Sequence, residues 1–269
     1  MQDIIKELRD MRYLAWAKSR KSSGTAGSFL KSYDDSGRIK KYYKLSDFDP
    51  VRGIVGHECV NEIIVQRLMS YLKIRHLEYR LIHAVVNINE HDYETWLCES
   101  EDYKAPDESK IALEDYYLIN RIDGESPFSF CLRNGWADEI YGMLLIDYIV
   151  LNRDRHGANV EVLRSGKNKS LRLAPLFDHG LSLLCTCHSE SELKAFNVME
   201  DRKVQAFVGT NSTKANVKLI SKEFIEKCPE INENVIDRAL DGLDDIMGRE
   251  YLKKISNMIC ERWGSLADI

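Results

Sequence analysis

No apolar run in this 269-residue chain approaches the roughly 18–20 residues that a membrane-crossing helix requires, so no membrane span is expected. Proline is scarce, at five residues, while 44% of the residues are hydrophobic; this excludes an extended Pro-rich chain and favours a folded globule. There is no internal repeat and no low-complexity tract, which excludes a stacked solenoid. A basic excess is missing too. The 38 Lys and Arg stand against 43 Asp and Glu, a net charge of −5, and direct nucleic-acid binding, which needs a basic surface, is not expected. Cysteine comes as an odd, scattered set of seven (Cys59, Cys98, Cys131, Cys185, Cys187, Cys228 and Cys260), which suits reduced thiols in a cytoplasmic protein rather than a disulfide framework. Cys185-Thr186-Cys187-His188 has metal-ligand residue types but no second cluster to complete a zinc site. The opening, Met1 to Leu8, is charged and reads as a helix rather than a signal peptide.

What is present is concentrated in Asn152-Arg153-Asp154-Arg155-His156-Gly157-Ala158-Asn159 and, a little later, Leu176-Phe177-Asp178-His179-Gly180. An Asp, an Asn five residues on, and a second Asp before a Gly form the polar core of an ATP-dependent phosphotransferase. Asp154 is then the residue that contacts the accepting hydroxyl, as base or positioner, and Asn159 and Asp178 hold Mg²⁺ against the ATP phosphates. The residue types suit that chemistry. Mg²⁺ is a hard cation that takes oxygen ligands, and phosphoryl transfer asks the protein for positioning and charge neutralisation rather than covalent help. His156 has two readings, support of the loop and stabilisation of transition-state charge.

Spacing brings these residues together. Val160 and Val162, then Leu171 and Leu173, alternate as two short strands around the turn cluster Ser165-Gly166-Lys167-Asn168-Lys169. A hairpin there returns Asp178 to the edge from which Asn159 departs. Trp136 to Leu151 reads as a helix, with Ile140, Met143, Leu144, Asp147 and Tyr148 near helical spacing, so Asp154 falls on the loop between helix and hairpin.

The segment 152–159, with Leu173-Ala174-Pro175-Leu176-Phe177-Asp178, resembles the catalytic core of HipA-like serine/threonine kinases, relatives of the phosphoinositide kinases. The resemblance is strongest over residues 136–184 and weaker over 20–73. It implies an α+β, two-lobed protein-kinase-like fold with a small β-rich N-lobe and a mainly helical C-lobe. It implies ATP and Mg²⁺ as cofactors, a protein Ser/Thr substrate, and a toxin-like or regulatory role with a separate regulatory or antitoxin chain. Length agrees with two lobes, about 1–100 and about 101–269, since the chain is near the limit for one compact unit. Members of this family usually carry a subdomain ahead of the kinase lobes; only residues 1–21 precede the first candidate loop here, so the expectation is that it is lacking. His179 stands where the usual Asp-Phe-Gly has Phe, so switching by that ring is not implied.

The amino-terminal third offers the remaining parts. Ser22-Ser23-Gly24-Thr25-Ala26-Gly27-Ser28 is a small, hydroxyl-rich loop whose glycines allow close backbone approach and whose N–H groups can form an anion nest; Ser23, Gly24, Thr25, Ala26 and Gly27 are the candidates to cover phosphates. The resembled kinases phosphorylate a serine in this loop and switch off, which points to Ser22 or Ser23. Phe29–Tyr33 and Arg38–Leu45 read as strands around Asp34-Asp35-Ser36-Gly37. Lys44 resembles the family's phosphate-binding lysine; Lys31, Lys40 and Lys41 are rivals, and alternation puts Lys40 on the face of Lys44. Residues 56–73 form a helix through Val60, Ile63, Ile64, Leu68 and Leu72. On it Glu62 resembles the glutamate that orients the lysine, with Glu58 in competition. Tyr79–Asn87 and Tyr93–Cys98 read as strands around Asn89 to Asp92, leading to an adenine hinge near 97–102. Apolar spacing from Phe224 to Leu243 and from Tyr251 to Trp263 predicts helices that complete the C-lobe core. The reading is a kinase acting on protein Ser or Thr. A lipid or small-molecule kinase, and a nucleotide-binding scaffold without catalysis, are the alternatives.

Overall fold

The computed structural model describes residues 3–17 and 29–268. Its N-terminal part is built on strands β1 (Ile4–Asp10), β2 (Lys31–Asp34) and β3 (Lys41–Leu45). A two-residue ribbon follows, β4 (Phe48–Asp49) with β5 (Gly53–Ile54), then helix α1 (Glu58–Tyr71) and the hairpin β6 (Tyr79–Ile88) and β7 (His91–Glu101). β1, β6, β7, β3 and β2 lie side by side in that order in one five-stranded sheet, with β1 parallel to β6 and the remaining neighbours antiparallel. Alternation along β6 splits its side chains between two cores. Tyr79 and Leu81 face α1, whereas Ile82, Ala84, Val86 and Ile88 face a smaller cluster with Met11, Leu14, Leu30 and Leu45.

The amino terminus differs from its sequence reading. Residues 4–10 are a strand, not a helix. Only Ile4 is buried and the charged residues beyond it are exposed, so the segment carries little periodic signal; its identity comes from a parallel partner about seventy-seven residues away, as in Ile4↔Leu81. Charged side chains on an edge strand also discourage pairing with other chains. The two strands read from 29–33 and 38–45 are shorter, at Lys31–Asp34 and Lys41–Leu45. The β6–β7 connection is tighter than expected, with Asn89 (φ 53°) and Glu90 (φ 68°) alone between the strands.

The second part is mainly helical. β8 (Glu108–Ala112), α2 (Leu113–Asn120), α3 (Pro127–Arg133) and α4 (Ala137–Ile149) lead to the short strand β9 (Asp154–Arg155) and a 3₁₀ turn at Gly157–Asn159. The hairpin β10 (Glu161–Ser165) and β11 (Leu171–Leu173) pairs Val162 with Leu173, and β8 completes a three-stranded sheet. Beyond it lie α5 (Glu190–Ala195), β12 (Gln205–Ala206), α6 (Thr213–Val217), α7 (Lys222–Lys227), α8 (Glu233–Leu240) and α9 (Arg249–Gly264), closed by a 3₁₀ turn at Ser265–Asp268. The side chains of Ser189, Ser212, Ser221 and Asn232 accept backbone N–H groups at the starts of α5 to α8, which fixes where these short helices begin. The large core runs without a break from Ile4 and α1 through α4 to α9. The result is an α+β molecule with a β-rich N-terminal lobe and a helical C-terminal lobe. No helix among the described residues is long and apolar enough to cross a membrane.

Candidate active site

β3 and α1 pack together and bring Lys44 and Glu62 into contact. Lys44 Nζ donates to Glu62 Oε1 at 3.1 Å and to Asp178 Oδ1 at 2.5 Å. The side chain of Glu62 is fully buried, and its carboxylate also accepts the N–H groups of His179 (2.9 Å) and Gly180 (3.1 Å). Asn61, one residue earlier on α1, donates to the carbonyls of Gly180 (2.9 Å) and Ser182 (3.1 Å). The helix therefore holds the segment after Asp178 by four hydrogen bonds to its backbone. Gly180 is required by this approach: a Cβ there would lie 2.9 Å from Glu58 Cβ and 3.1 Å from Lys44 Nζ. Asp178 itself takes a left-handed backbone (φ 60°), and its N–H donates to the Tyr79 hydroxyl at 3.3 Å.

The electrostatics follow from burial and these partners. Burial alone would lower Lys44, but Asp178 and Glu62 raise it well above its ordinary value, so it is a cation. Burial alone would raise Asp178, yet Lys44, with Lys31 and Arg155 behind it, holds this carboxyl well below the usual range. Burial, with the Asp178 charge adding to it, pushes the Glu62 carboxyl up, opposed by Lys44 and the His179 amide. The rival residues go elsewhere. Lys40 sits over the Tyr33 ring at 3.9 Å, Lys41 reaches Glu99 at 3.4 Å, and Glu58 accepts the Asp47 N–H at 3.1 Å. Lys31 lies opposite Lys44 in the β2–β3 register and lines the same cleft.

The loop carrying Asp154 is braced from beneath. Arg155 is buried and makes a two-pronged ion pair with Asp147 of α4, Nε to Oδ2 and Nη2 to Oδ1, both at 2.9 Å. Arg155 Nη1 donates to the carbonyls of Asn159 (3.2 Å) and Phe177 (2.8 Å), so one guanidinium ties the loop to the segment that leads into Asp178. Asn152 donates to Asp147 at 2.8 Å and accepts the Asp154 N–H at 3.2 Å. Asp154 begins β9, which runs parallel to β12 with Asp154 opposite Gln205. Asn159 Nδ2 donates to the Asp154 carbonyl at 2.7 Å, which leaves its Oδ1 as the acceptor end. His156 Nδ1 accepts the Ala158 N–H at 3.2 Å, and its Nε2 lies 3.8 Å from Asp154 Oδ2. Burial raises the Asp154 carboxyl above its ordinary range, with the Asp178 charge adding to the effect and His156 opposing it.

Asp154, His156, Asn159, Asp178 and Lys44 all line one cleft of about 890 Å³ between the lobes, a size typical of small-ligand sites. Phe29, Leu77 and Phe177 give it apolar walls, and Phe177 stacks on Tyr103 at 6.0 Å between ring centroids. Cys98, Ser100 and Glu101, from the segment read as a hinge, line it too. Glu62 stands behind Lys44 rather than on the wall. Ser23, Gly24, Thr25, Ala26 and Gly27, with Ser22, lie outside the described residues. Among the described residues no three His, Cys, Asp or Glu side chains gather to hold a metal ion. One carboxylate and one amide oxygen, Asp178 and Asn159, instead match a hard cation that takes its other oxygens from a phosphate ligand. Cys185 and Cys187 are buried free thiols, and burial pushes Cys185 up to about 12.

Sequence reasoning gave no role to the bracing residues Asp147, Asn152 and Arg155, or to Tyr79 behind Asp178; Asn61 carried a signal only as the neighbour of Glu62 in the Asn61-Glu62 pair that resembles the family's helix. Asp147 carried a signal, as an acid on an otherwise apolar helical stripe. His179 is fully buried, and neither ring nitrogen has a hydrogen-bond partner among the described residues; burial and Arg155 keep it neutral.

No protein-family model and no curated protein sequence matches the chain. Solved structures do. A proinflammatory kinase of Helicobacter pylori, CtkA, aligns at 15% identity over 96% of this chain and 94% of that one, with a TM-score of 0.62. HipA of Shewanella oneidensis MR-1, solved in a toxin–antitoxin complex with HipB and operator DNA, aligns at 14% identity over 93% of this chain and 59% of that one, with a TM-score of 0.43. A Golgi casein kinase aligns at 10% identity over 92% and 71%, with a TM-score of 0.47. The first likeness establishes that the chain has a protein-kinase-like fold.

Proposed function

We propose that the protein is an ATP-dependent kinase that transfers the γ-phosphoryl group to the hydroxyl of a protein serine or threonine. The observation that carries this reading is the convergence of Asp154, Asn159, Lys44 and Asp178 on one cleft, with Glu62 buttressing the lysine. In the proposed step the acceptor oxygen bonds to the γ-phosphorus as the bond from that phosphorus to the β–γ bridging oxygen breaks. ADP departs, and the hydroxyl proton passes to the Asp154 carboxylate. Lys44, fixed by Glu62, is the cation for the phosphates. Asn159 and Asp178 are the residues that would hold Mg²⁺, which supplies charge neutralisation on the phosphates when bound. The raised Asp154 carboxyl suits a base, because a carboxylate nearer neutrality accepts a proton more readily than an ordinary one.

The assay is incubation with γ-labelled ATP and Mg²⁺ against protein, lipid and metabolite pools, followed by phosphoamino-acid analysis. Label on serine or threonine supports the reading; label confined to lipid or metabolite would move it to the alternative acceptor classes, and binding without transfer to a scaffold. A cytoplasmic location is supported by seven free cysteines. A separate regulatory chain, and with it a toxin-like role, rests on the resemblance to HipA-like kinases and is tested by co-purification with the tagged protein from its own cells.

A further inference from the structure

Two cations that line the cleft have no part in the chemistry described so far. Arg153 immediately precedes Asp154, and Lys203 lies two residues before Gln205, the partner of Asp154 in the β9–β12 pair. Both line the same cleft as Asp154. The backbone holds them there. Gln205 N–H donates to the Arg153 carbonyl at 2.9 Å, Val204 N–H to the Asn211 carbonyl at 3.0 Å, and Lys203 bridges to Ser212, so a turn of chain over 203–212 is docked on the loop that carries Asp154.

Of the other charges along this cleft, Lys31 stands opposite Lys44 and acts on Asp178 at the catalytic end, and most of the rest are paired. Lys44 meets Glu62 and Asp178, Lys110 meets Glu161, and Glu101 lies 3.7 Å from Arg80. Arg202, next to Lys203 in sequence, is paired with Glu200 at 2.7 Å. Arg153 and Lys203 have no ion-pair partner among the described residues, and residues 1–2 and 18–28 contain no Asp or Glu to provide one. Two cations without an ion-pair partner among the described residues thus line the same cleft as Asp154 in a chain whose net charge is −5. Like charges brought against them are penalised and opposite charges are favoured, which is how a rim of charge selects a partner.

We infer that Arg153 and Lys203 form an anion-selecting rim, and that the acceptor serine or threonine is flanked by acidic side chains. This deepens the kinase reading and rests on it for the word acceptor; the anion preference itself is a binding property.

The test measures binding and transfer separately. Fluorescent peptides with one central serine carry Glu, Gln or Lys flanks, and their affinity for the full chain is read by anisotropy at low and high salt. The Glu-flanked peptide is expected to bind roughly tenfold tighter than the Lys-flanked one, with the difference shrinking as salt screens it. Lys203→Glu should invert the preference, and Arg153→Gln should reduce it. Lys203 is exposed on its loop, so Lys203→Gln serves as a second variant that removes the charge without reversing it and should flatten the preference. Equal affinity for Glu- and Lys-flanked peptides in the wild type, or a preference that survives both Lys203→Glu and Arg153→Gln, overturns the inference. Selective binding with no phosphate transferred to any peptide leaves the rim standing and removes the kinase reading; transfer without selective binding does the reverse.

Discussion

Asp154 is subject to opposing influences. Burial and the neighbouring Asp178 favour its protonated form, while His156 and Arg155 favour the carboxylate, and the first two prevail. If Asp154 is the base proposed above, it must be deprotonated to work, so activity should fall as pH drops through its raised pKa, and the acid limb of kcat/KM should lie above the ordinary carboxylate range. Asp154→Asn keeps the size and loses the charge. It should cost roughly 10²–10⁴ in rate with ATP affinity nearly unchanged, and its residual activity should lack that limb. A limb that persists unchanged in the mutant would assign it to another group. For stability the same shift has the opposite sign from that of Asp178. Asp154, raised, favours the fold at pH below its unfolded value and loses that contribution as pH rises through the folded one. Asp178, lowered chiefly by Lys44 against the opposing effect of burial, contributes above its unfolded value and loses it as pH falls.

Between residues stand the elements that aim them, and here the Asp147–Arg155 pair matters most. Its side chains are 8% and 2% exposed, so removing either partner leaves a charge uncompensated in the interior. Arg155→Met is expected to cost about 3–5 kcal/mol and to release the carbonyls of Asn159 and Phe177, lowering activity along with stability. Urea unfolding against the wild type measures the first effect. A loss under about 1 kcal/mol would mean that the loop is held by its backbone pairing alone. The β6–β7 turn offers a milder case. Glu90 adopts φ 68° without a glycine's freedom, so Glu90→Gly should stabilise by about 0.5 kcal/mol, the relieved strain exceeding the added chain entropy. Thermal unfolding decides it, and a lowered midpoint would show that the turn carries no such strain. Elements with a local signal were legible in the sequence. Helix 58–71 has an apolar stripe, and hairpin 161–173 has a turn cluster between alternating strands. β1, β9 and β12 were not, because a charged edge strand and two-residue strands are defined by partners far along the chain. Asp154, Asn159 and Asp178 could be grouped in advance because the hairpin returns one to the others, whereas the Arg155 brace depends on how α4 is turned, which spacing alone does not reveal.

At the scale of the molecule, the large core is common to both lobes, and residues of both line the cleft. Arg67 of α1 illustrates the coupling: it pairs with Asp3 at 2.7 and 2.9 Å and donates to the carbonyls of Ala239 (3.1 Å) and Asp241 (2.8 Å) at the end of α8. The cleft is lined by Lys44 from the sheet and by Asp178, Asn159 and Asp154 from the helical lobe, so a ligand that met all four would stabilise the junction as a whole. If Asn159 and Asp178 hold Mg²⁺, ATP should stabilise the fold strongly only with the divalent ion present. At a free ATP concentration a hundredfold above its Kd, linkage gives about 2.7 kcal/mol. For a chain of this size that corresponds to about 5–10 °C in Tm. Asp178→Ala should abolish most of the Mg²⁺-dependent part while Lys44 keeps its contact with Glu62. The measurement is a pair of melting curves, with ATP plus Mg²⁺ and with ATP plus chelator, for wild type and mutant. An Mg²⁺-dependent shift of the same size in Asp178→Ala would take Asp178 out of the metal site and leave Asn159 to be tested in its place.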